Sequence, residues 1–229
     1  MVIDSSLKAV LFDLDGLIVD TEPYQFGAFQ TLLERRGILL PESAMETMLG
    51  YDEVTNLKRL KPQYELADSV EELLQERRQI YLDSIACSAV EPMAGFWEIS
   101  AKAAQLGLQQ AVVSSSTYPY IAAVLEKIFA CRPELGRFGS YFDVIVCGDD
   151  VTRTKPAPDI YQMAVEQLDL QPGHCLAFED SPAGVRSAVD AGVKCLAVVT
   201  RYTKPSDFPH ALAVLESLHE GVPYLCNGV

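Results

Sequence analysis

The chain has 229 residues, 49% hydrophobic and 22% charged, a composition that excludes disorder and allows one large domain or a main domain with a smaller insert. A formal net charge of −14 and a pI near 4.6 exclude a nucleic-acid backbone or an anionic membrane as the main partner, because both attract basic surfaces. The six cysteines form no CxxC pair, no apolar run reaches membrane-spanning length and no leader is apparent, so the expected setting is reducing and cytoplasmic.

In chain order, Lys8 to Phe12 is a short apolar run that breaks into Asp13-Leu14-Asp15-Gly16, which reads as a buried strand ending in two carboxylates. A helix is expected to start near Pro23, with Phe26, Phe29, Leu32 and Leu33 at helical spacing and Gly37 as its stop. From there to about Ser88 the pattern is almost wholly helical, and Ser69 with Glu72 resembles a capping box. Beyond Glu91-Pro92, strand and helix alternate: helix 96–106, strand 108–113, helix 120–129, strand 144–147, helix 158–168, strand 175–178, helix 182–191 and strand 193–199. Ser181 reads as the N-cap of the last helix and Gly192 as the residue just past its end. This alternation predicts an α/β fold, a parallel sheet with helices on both faces, and an inserted helical segment. The expected boundaries are residues 1–17 and 91–229 for the sheet domain and 18–90 for the insert.

Ligands of such sheets bind at the carboxyl ends of the strands. Polar clusters fall there repeatedly: Asp13 and Asp15, then Ser114-Ser115-Ser116, then Glu179-Asp180, with Lys155 a short loop after the third strand. Two carboxylates at one strand end repel each other unless a cation sits between them, which points to Mg²⁺. Asp13 and Asp180 are the candidate carboxylate ligands, the Asp15 main-chain carbonyl a candidate third, and Glu179 binds directly or through water. Read singly, Asp13 to Gly16 is equally well a surface turn, and Glu179 and Asp180 a helix start. A phosphate group suits the remaining donors, namely the Ser114 hydroxyl, the Ser115 and Ser116 amides and the Lys155 ammonium.

The segments Phe12-Asp13-Leu14-Asp15-Gly16, Val112-Val113-Ser114, Lys155-Pro156 and Phe178-Glu179-Asp180-Ser181, in this order, resemble the haloacid dehalogenase superfamily in its phosphatase and phosphosugar mutase branch. The resemblance implies a Rossmann-like core with an α-helical cap after the first motif. It also implies Asp13 as a nucleophile that forms an aspartyl phosphate, and Asp15 as the acid that protonates the leaving oxygen and then activates water. Ser114 and Lys155 join the catalytic set, Ser114, Ser115, Ser116 and Lys155 hold phosphate, and Mg²⁺ is the cofactor.

Within the family, Asp15 argues against dehalogenation, which needs no proton donor to halide. Against the β-phosphoglucomutase-like alternative, Glu53 stands where those mutases carry an arginine for a second phosphate, and Gln25 where they carry a histidine. The expected function is therefore a phosphatase of a small phosphorylated metabolite, a sugar phosphate, acting as a monomer or weak dimer. Substrate choice is expected from the cap through Tyr24, Gln25, Gly50 and Glu53. A noncatalytic binding protein on this fold is disfavoured because such a protein could dispense with Asp13, Asp15, Lys155 and Asp180. The stretch Cys131 to Gly139 is longer than the usual connection and reads as a surface loop.

Overall fold

A computed structural model describes residues 7–48 and 51–227. Two compact units are distinguished, Met1–Asp20 together with Val90–Val229, and Thr21–Ala89. The first is an α/β unit and the second is wholly helical among its described residues.

The α/β unit holds six parallel strands, β1 (Ala9–Phe12), β2 (Gln109–Val113), β3 (Val144–Val146), β4 (Cys175–Glu179), β5 (Lys194–Val198) and β6 (Ala213–Leu215), in the order β3-β2-β1-β4-β5-β6. β1 is central, and all four of its residues are fully buried, which explains why it reads as a continuous apolar run. Side chains alternate across it. Ala9 and Leu11 join the cluster that contains Ile160, Tyr161, Ala164, Val185 and Ala188. On the other face Phe12 stacks on Phe178 at 5.6 Å and meets Phe96 edge-on at 5.7 Å.

The helical unit contains α1 (Glu22–Glu34), α2 (Ala44–Met48), α3 (Glu53–Gln63) and α4 (Val70–Cys87). The Ser69 and Glu72 capping box is formed at the start of α4, and Asp52 caps α3 by accepting from Thr55 N. Buried Phe26, Phe29, Leu32 and Leu33 from α1 and Leu73, Ile80, Tyr81 and Ile85 from α4 supply its apolar interior.

The α/β unit's helices are α5 (Phe96–Gln105), α6 (Tyr118–Ala130), α7 (Phe138–Tyr141), α8 (Asp159–Gln167), α9 (Pro182–Asp190) and α10 (Val222–Asn227). The 131–139 stretch leads into α7 and is mostly exposed, but Phe138 lies 6.5 Å from Phe129, and the Arg132 guanidinium sits 5.5 Å over the Trp97 ring. The expected strands and helices all form. β6 and α10 were not expected, since three apolar residues at a sheet edge leave little periodicity to read. No helix among the described residues is long and apolar enough to cross a membrane.

Gly95 begins α5 at φ +90°, and a Cβ there would lie 2.5 Å from the His219 backbone nitrogen. Gly95→Ala therefore combines left-handed strain with a backbone clash and is expected to cost about 1–3 kcal/mol. Urea denaturation should show a lower midpoint with an unchanged slope; an unchanged midpoint would refute this reading of the turn.

Candidate active site

Strand register brings the polar clusters together. Phe12 pairs with Val112 on one side and Phe178 on the other, so the residues that follow, Asp13, Val113 and Glu179, lie side by side. The Asp13 amide still donates to Phe178 O at 3.1 Å, and the Ser114 amide to Val146 O at 3.1 Å, which fixes each backbone at the point where its side chain enters the crevice. Lys155, on the loop before α8, joins them. Its ammonium contacts Asp13 Oδ1, donates to Val113 O at 2.8 Å and pairs with Glu179 Oε1 at 2.6 Å. Burial works against the lysine's charge, yet Asp13 and Glu179 outweigh it and hold the ammonium above the ordinary lysine range.

After β1 the chain folds back on itself. The Ile18 and Val19 amides donate to Leu14 O at 3.0 and 3.1 Å, and the Gly16 amide donates to Val19 O at 2.7 Å. Gly16 sits at φ +92°, and a Cβ there would come within 2.0 Å of Asp180 Oδ2. Glycine thus serves both the turn and the approach of Asp180. Gly184, in α9, plays the matching part for Glu179, whose Oε2 would lie 1.9 Å from an added Cβ.

Asp13, Glu179 and Asp180 each offer a carboxylate oxygen, and these oxygens all lie within 4.8 Å of one another. Burial, opposed by Lys155 and reinforced by Glu179 and Asp15, pushes the Asp13 carboxyl up to about 8. Burial and the charges of Asp13 and Glu179 likewise raise Asp180 well above the usual carboxylate range. One ammonium does not balance this many acids, and an all-oxygen donor set is what Mg²⁺ takes, so the residues fit that ion. The Asp15 side chain lies outside this group and turns to the serines.

Asp15 Oδ2 accepts from Ser114 Oγ at 2.9 Å and from Ser116 Oγ at 2.7 Å. The Ser116 amide, expected to face a phosphate, donates here to Ser114 Oγ at 3.0 Å. Ser115 is exposed, and its carbonyl lies against Gly148, where a Cβ would come within 2.2 Å. The serine turn therefore holds Asp15 in place. Ser181 caps α9 by accepting from Gly184 N at 3.0 Å, so the helix start and the acid pair Glu179-Asp180 occur together rather than as alternatives.

In the helical unit, Gln25 and Glu53 meet on one side chain that the sequence reading passed over. Arg77 is 1% exposed; its guanidinium donates to Glu53 Oε2 at 2.8 Å and Gln25 O at 3.0 Å, contacts Gln25 Oε1 and lies 4.6 Å over the Phe29 ring. Glu53 Oε1 also accepts from Arg78 Nε at 2.7 Å. Glu53, the carboxylate at the position where the mutases carry an arginine, is thus paired with two guanidinium groups. The available signal was Arg77 itself, a charge on the apolar stripe of Leu73, Ile80 and Tyr81, where only a paired cation can be buried. Tyr24 reaches Ala89 O at 3.4 Å, and Gly50 lies outside the described residues.

The family model of haloacid dehalogenase-like hydrolases matches residues 10–198. The chain is 30% identical to hexitol phosphatase A of Escherichia coli (strain K12), over 93% of this chain and 90% of that one. Among solved structures it is similar to a mutant of CbbY from Rhodobacter sphaeroides in complex with xylulose-(1,5)bisphosphate, with TM-score 0.83, 25% identity and coverage of 93% of this chain and 96% of that chain. A β-phosphoglucomutase from Clostridium difficile, at TM-score 0.74, 22% identity and coverage of 93% and 92%, shares the fold. With the family match running from β1 through β5, the chain belongs to the haloacid dehalogenase-like hydrolases, in their phosphatase branch.

Proposed function

We propose that this protein is a Mg²⁺-dependent phosphatase that hydrolyses a small sugar phosphate through an aspartyl phosphate on Asp13. One observation carries the reading. Asp13 and Asp15 leave the same strand end but meet opposite surroundings, Asp13 buried against Lys155 and the other acids, Asp15 held by two serine hydroxyls. Two carboxyl groups sorted in this way suit two different roles in one reaction.

In that reaction an Asp13 carboxylate oxygen attacks phosphorus, the bond from phosphorus to the sugar oxygen breaks, and Asp15 gives its proton to the departing oxygen. Asp15, now a carboxylate, takes a proton from a water molecule whose oxygen attacks the aspartyl phosphate. Orthophosphate leaves, Asp13 is restored and Asp15 is protonated again. Ser114 and Ser116 fix Asp15 Oδ2 so that the proton is handled at a constant position, and Lys155 brings positive charge to the transferred group. Asp13, Asp180 and Glu179, with the Asp15 carbonyl as a further oxygen, are the groups that would hold Mg²⁺, which when bound supplies charge that neutralises both the acids and the phosphoryl oxygens.

The sugar is argued from the relatives, one named for hexitol phosphates and one crystallised with a ketose bisphosphate. We assign discrimination among sugars to the cap, through Tyr24, Gln25, Gly50 and Glu53. The mutase alternative differs in returning the phosphoryl group to a sugar hydroxyl instead of water.

A panel of sugar monophosphates, assayed with Mg²⁺ and with EDTA, is expected to show phosphate release only with the metal. Isomerisation without net release would establish the mutase reading instead, and neither outcome would defeat both. Asp13→Asn should lower kcat at least about 10³-fold with the melting temperature nearly unchanged; a near-normal rate removes Asp13 as nucleophile. Asp15→Asn should lower steady-state turnover about 10²- to 10⁴-fold. With p-nitrophenyl phosphate, whose leaving group needs no proton, the same variant should release about one nitrophenol per active site in a burst before that slow phase. A slow linear course with no burst would contradict the second role given to Asp15.

A further inference from the structure

The Lys155 ammonium has three N–H donors, and the structure gives each a protein acceptor, at Val113 O, Asp13 Oδ1 and Glu179 Oε1. To take a phosphoryl oxygen, as proposed above, Lys155 has to give one of these up. The cost depends on what the abandoned acceptor keeps, since a buried group left without a partner loses its full desolvation energy. Val113 is fully buried at the end of β2, and Asp13 is the group that needs its charge balanced during transfer. Glu179 differs from both, because the same Oε1 atom that meets Lys155 also accepts from the Tyr161 hydroxyl at 2.7 Å.

Tyr161 lies on α8, in the row of buried Ile160, Ala164 and Val165, and is fully buried itself. A phenol at such a position needs a hydrogen-bond partner, and Glu179, which is 0% exposed, is that partner. The carboxylate is seated on all sides: Gly184 leaves room for Oε2, Ser181 Oγ approaches it at 3.4 Å, and the Tyr161 ring lies 5.4 Å from the Lys155 nitrogen, within range of a cation–π attraction.

We propose that Tyr161 is a positioning residue for phosphate capture: its hydroxyl keeps Glu179 satisfied and in place, so that Lys155 can exchange Glu179 Oε1 for a phosphoryl oxygen. Without the hydroxyl, Glu179 depends on Lys155 alone at that atom and holds the ammonium back. The consequence falls on binding of the phosphoryl group more than on the rate of the bound complex.

The proposal rests on the phosphate-binding role given to Lys155, and calorimetric titration of inorganic phosphate at saturating Mg²⁺ separates the two. Wild-type protein that binds no phosphate defeats that role and this proposal with it. Where wild type binds, Tyr161→Phe is expected to weaken phosphate about 10-fold, the worth of one hydrogen bond to a charged group, and to raise KM more than it lowers kcat. In a Glu179→Gln background the same change should have almost no effect on phosphate affinity. Unchanged phosphate affinity in the single variant overturns the proposal, as does a loss that is equal in both backgrounds. A fall in Mg²⁺ affinity with phosphate binding intact overturns it as well, because Tyr161 would then serve the metal side of Glu179. Tyr161→Met, flexible and without a hydroxyl, gives the same readout should the Phe variant not fold.

Discussion

A lysine ammonium buried among carboxylates is the interaction on which the rest of this molecule turns. Lys155 touches Asp13 from β1 and Glu179 from β4, and it anchors on the last carbonyl of β2, so one side chain ties together three neighbouring strand ends. Burying those acids is unfavourable in itself, and removing the one cation of such a set costs several kcal/mol, about 3–5, because it strands the acids around it. Burial first, and then more negative charge than one lysine offsets, raises Asp13 and Asp180, and that excess makes the crevice receptive to a divalent cation. Structure and chemistry share one electrostatic imbalance.

The backbone around this centre is shaped to permit it. Gly16 and Gly184 lie where a methyl group would overlap Asp180 and Glu179, so two acids approach the crevice through gaps that only glycine leaves. The fold-back from Leu14 to Val19 is closed by main-chain hydrogen bonds and buried apolar side chains, giving Asp15 a firm base. Ser114 and Ser116 then hold its carboxylate from the neighbouring strand end. Asp13 and Asp15 are two residues apart, and the difference between their surroundings comes from which strand neighbours each one meets.

Much of this was legible in the sequence because β1 through β5 are apolar runs with chemistry at their ends, and because Ser69, Ser181 and the glycines mark helix boundaries by local rules. β6 was not legible, since three residues at an edge carry too little pattern. The core site residues could be listed from sequence but not their hydrogen bonds. Ser114 is expected to serve phosphate through its hydroxyl and Ser116 through its amide, but that both hydroxyls also donate to Asp15 is set by tertiary geometry. Tyr161 and Arg77 escaped notice because each sits in an apolar helical row, where an aromatic ring or a long aliphatic stem is expected to pack; their polar ends find partners far away in sequence, Glu179 for one and Glu53 for the other. Pairings of that kind are set by tertiary geometry and leave no spacing to read.

In the proposed reaction phosphorus becomes covalently attached to Asp13. Rapid acid quenching of enzyme mixed with Mg²⁺ and a sugar phosphate labelled in its phosphoryl group, followed by proteolysis and mass spectrometry, tests it most directly. A hydroxylamine-labile phosphoryl group is expected on the peptide containing Asp13, appearing before free phosphate accumulates. Phosphate release at full rate with no label on that peptide at any quench time, or with label on another residue, would contradict it.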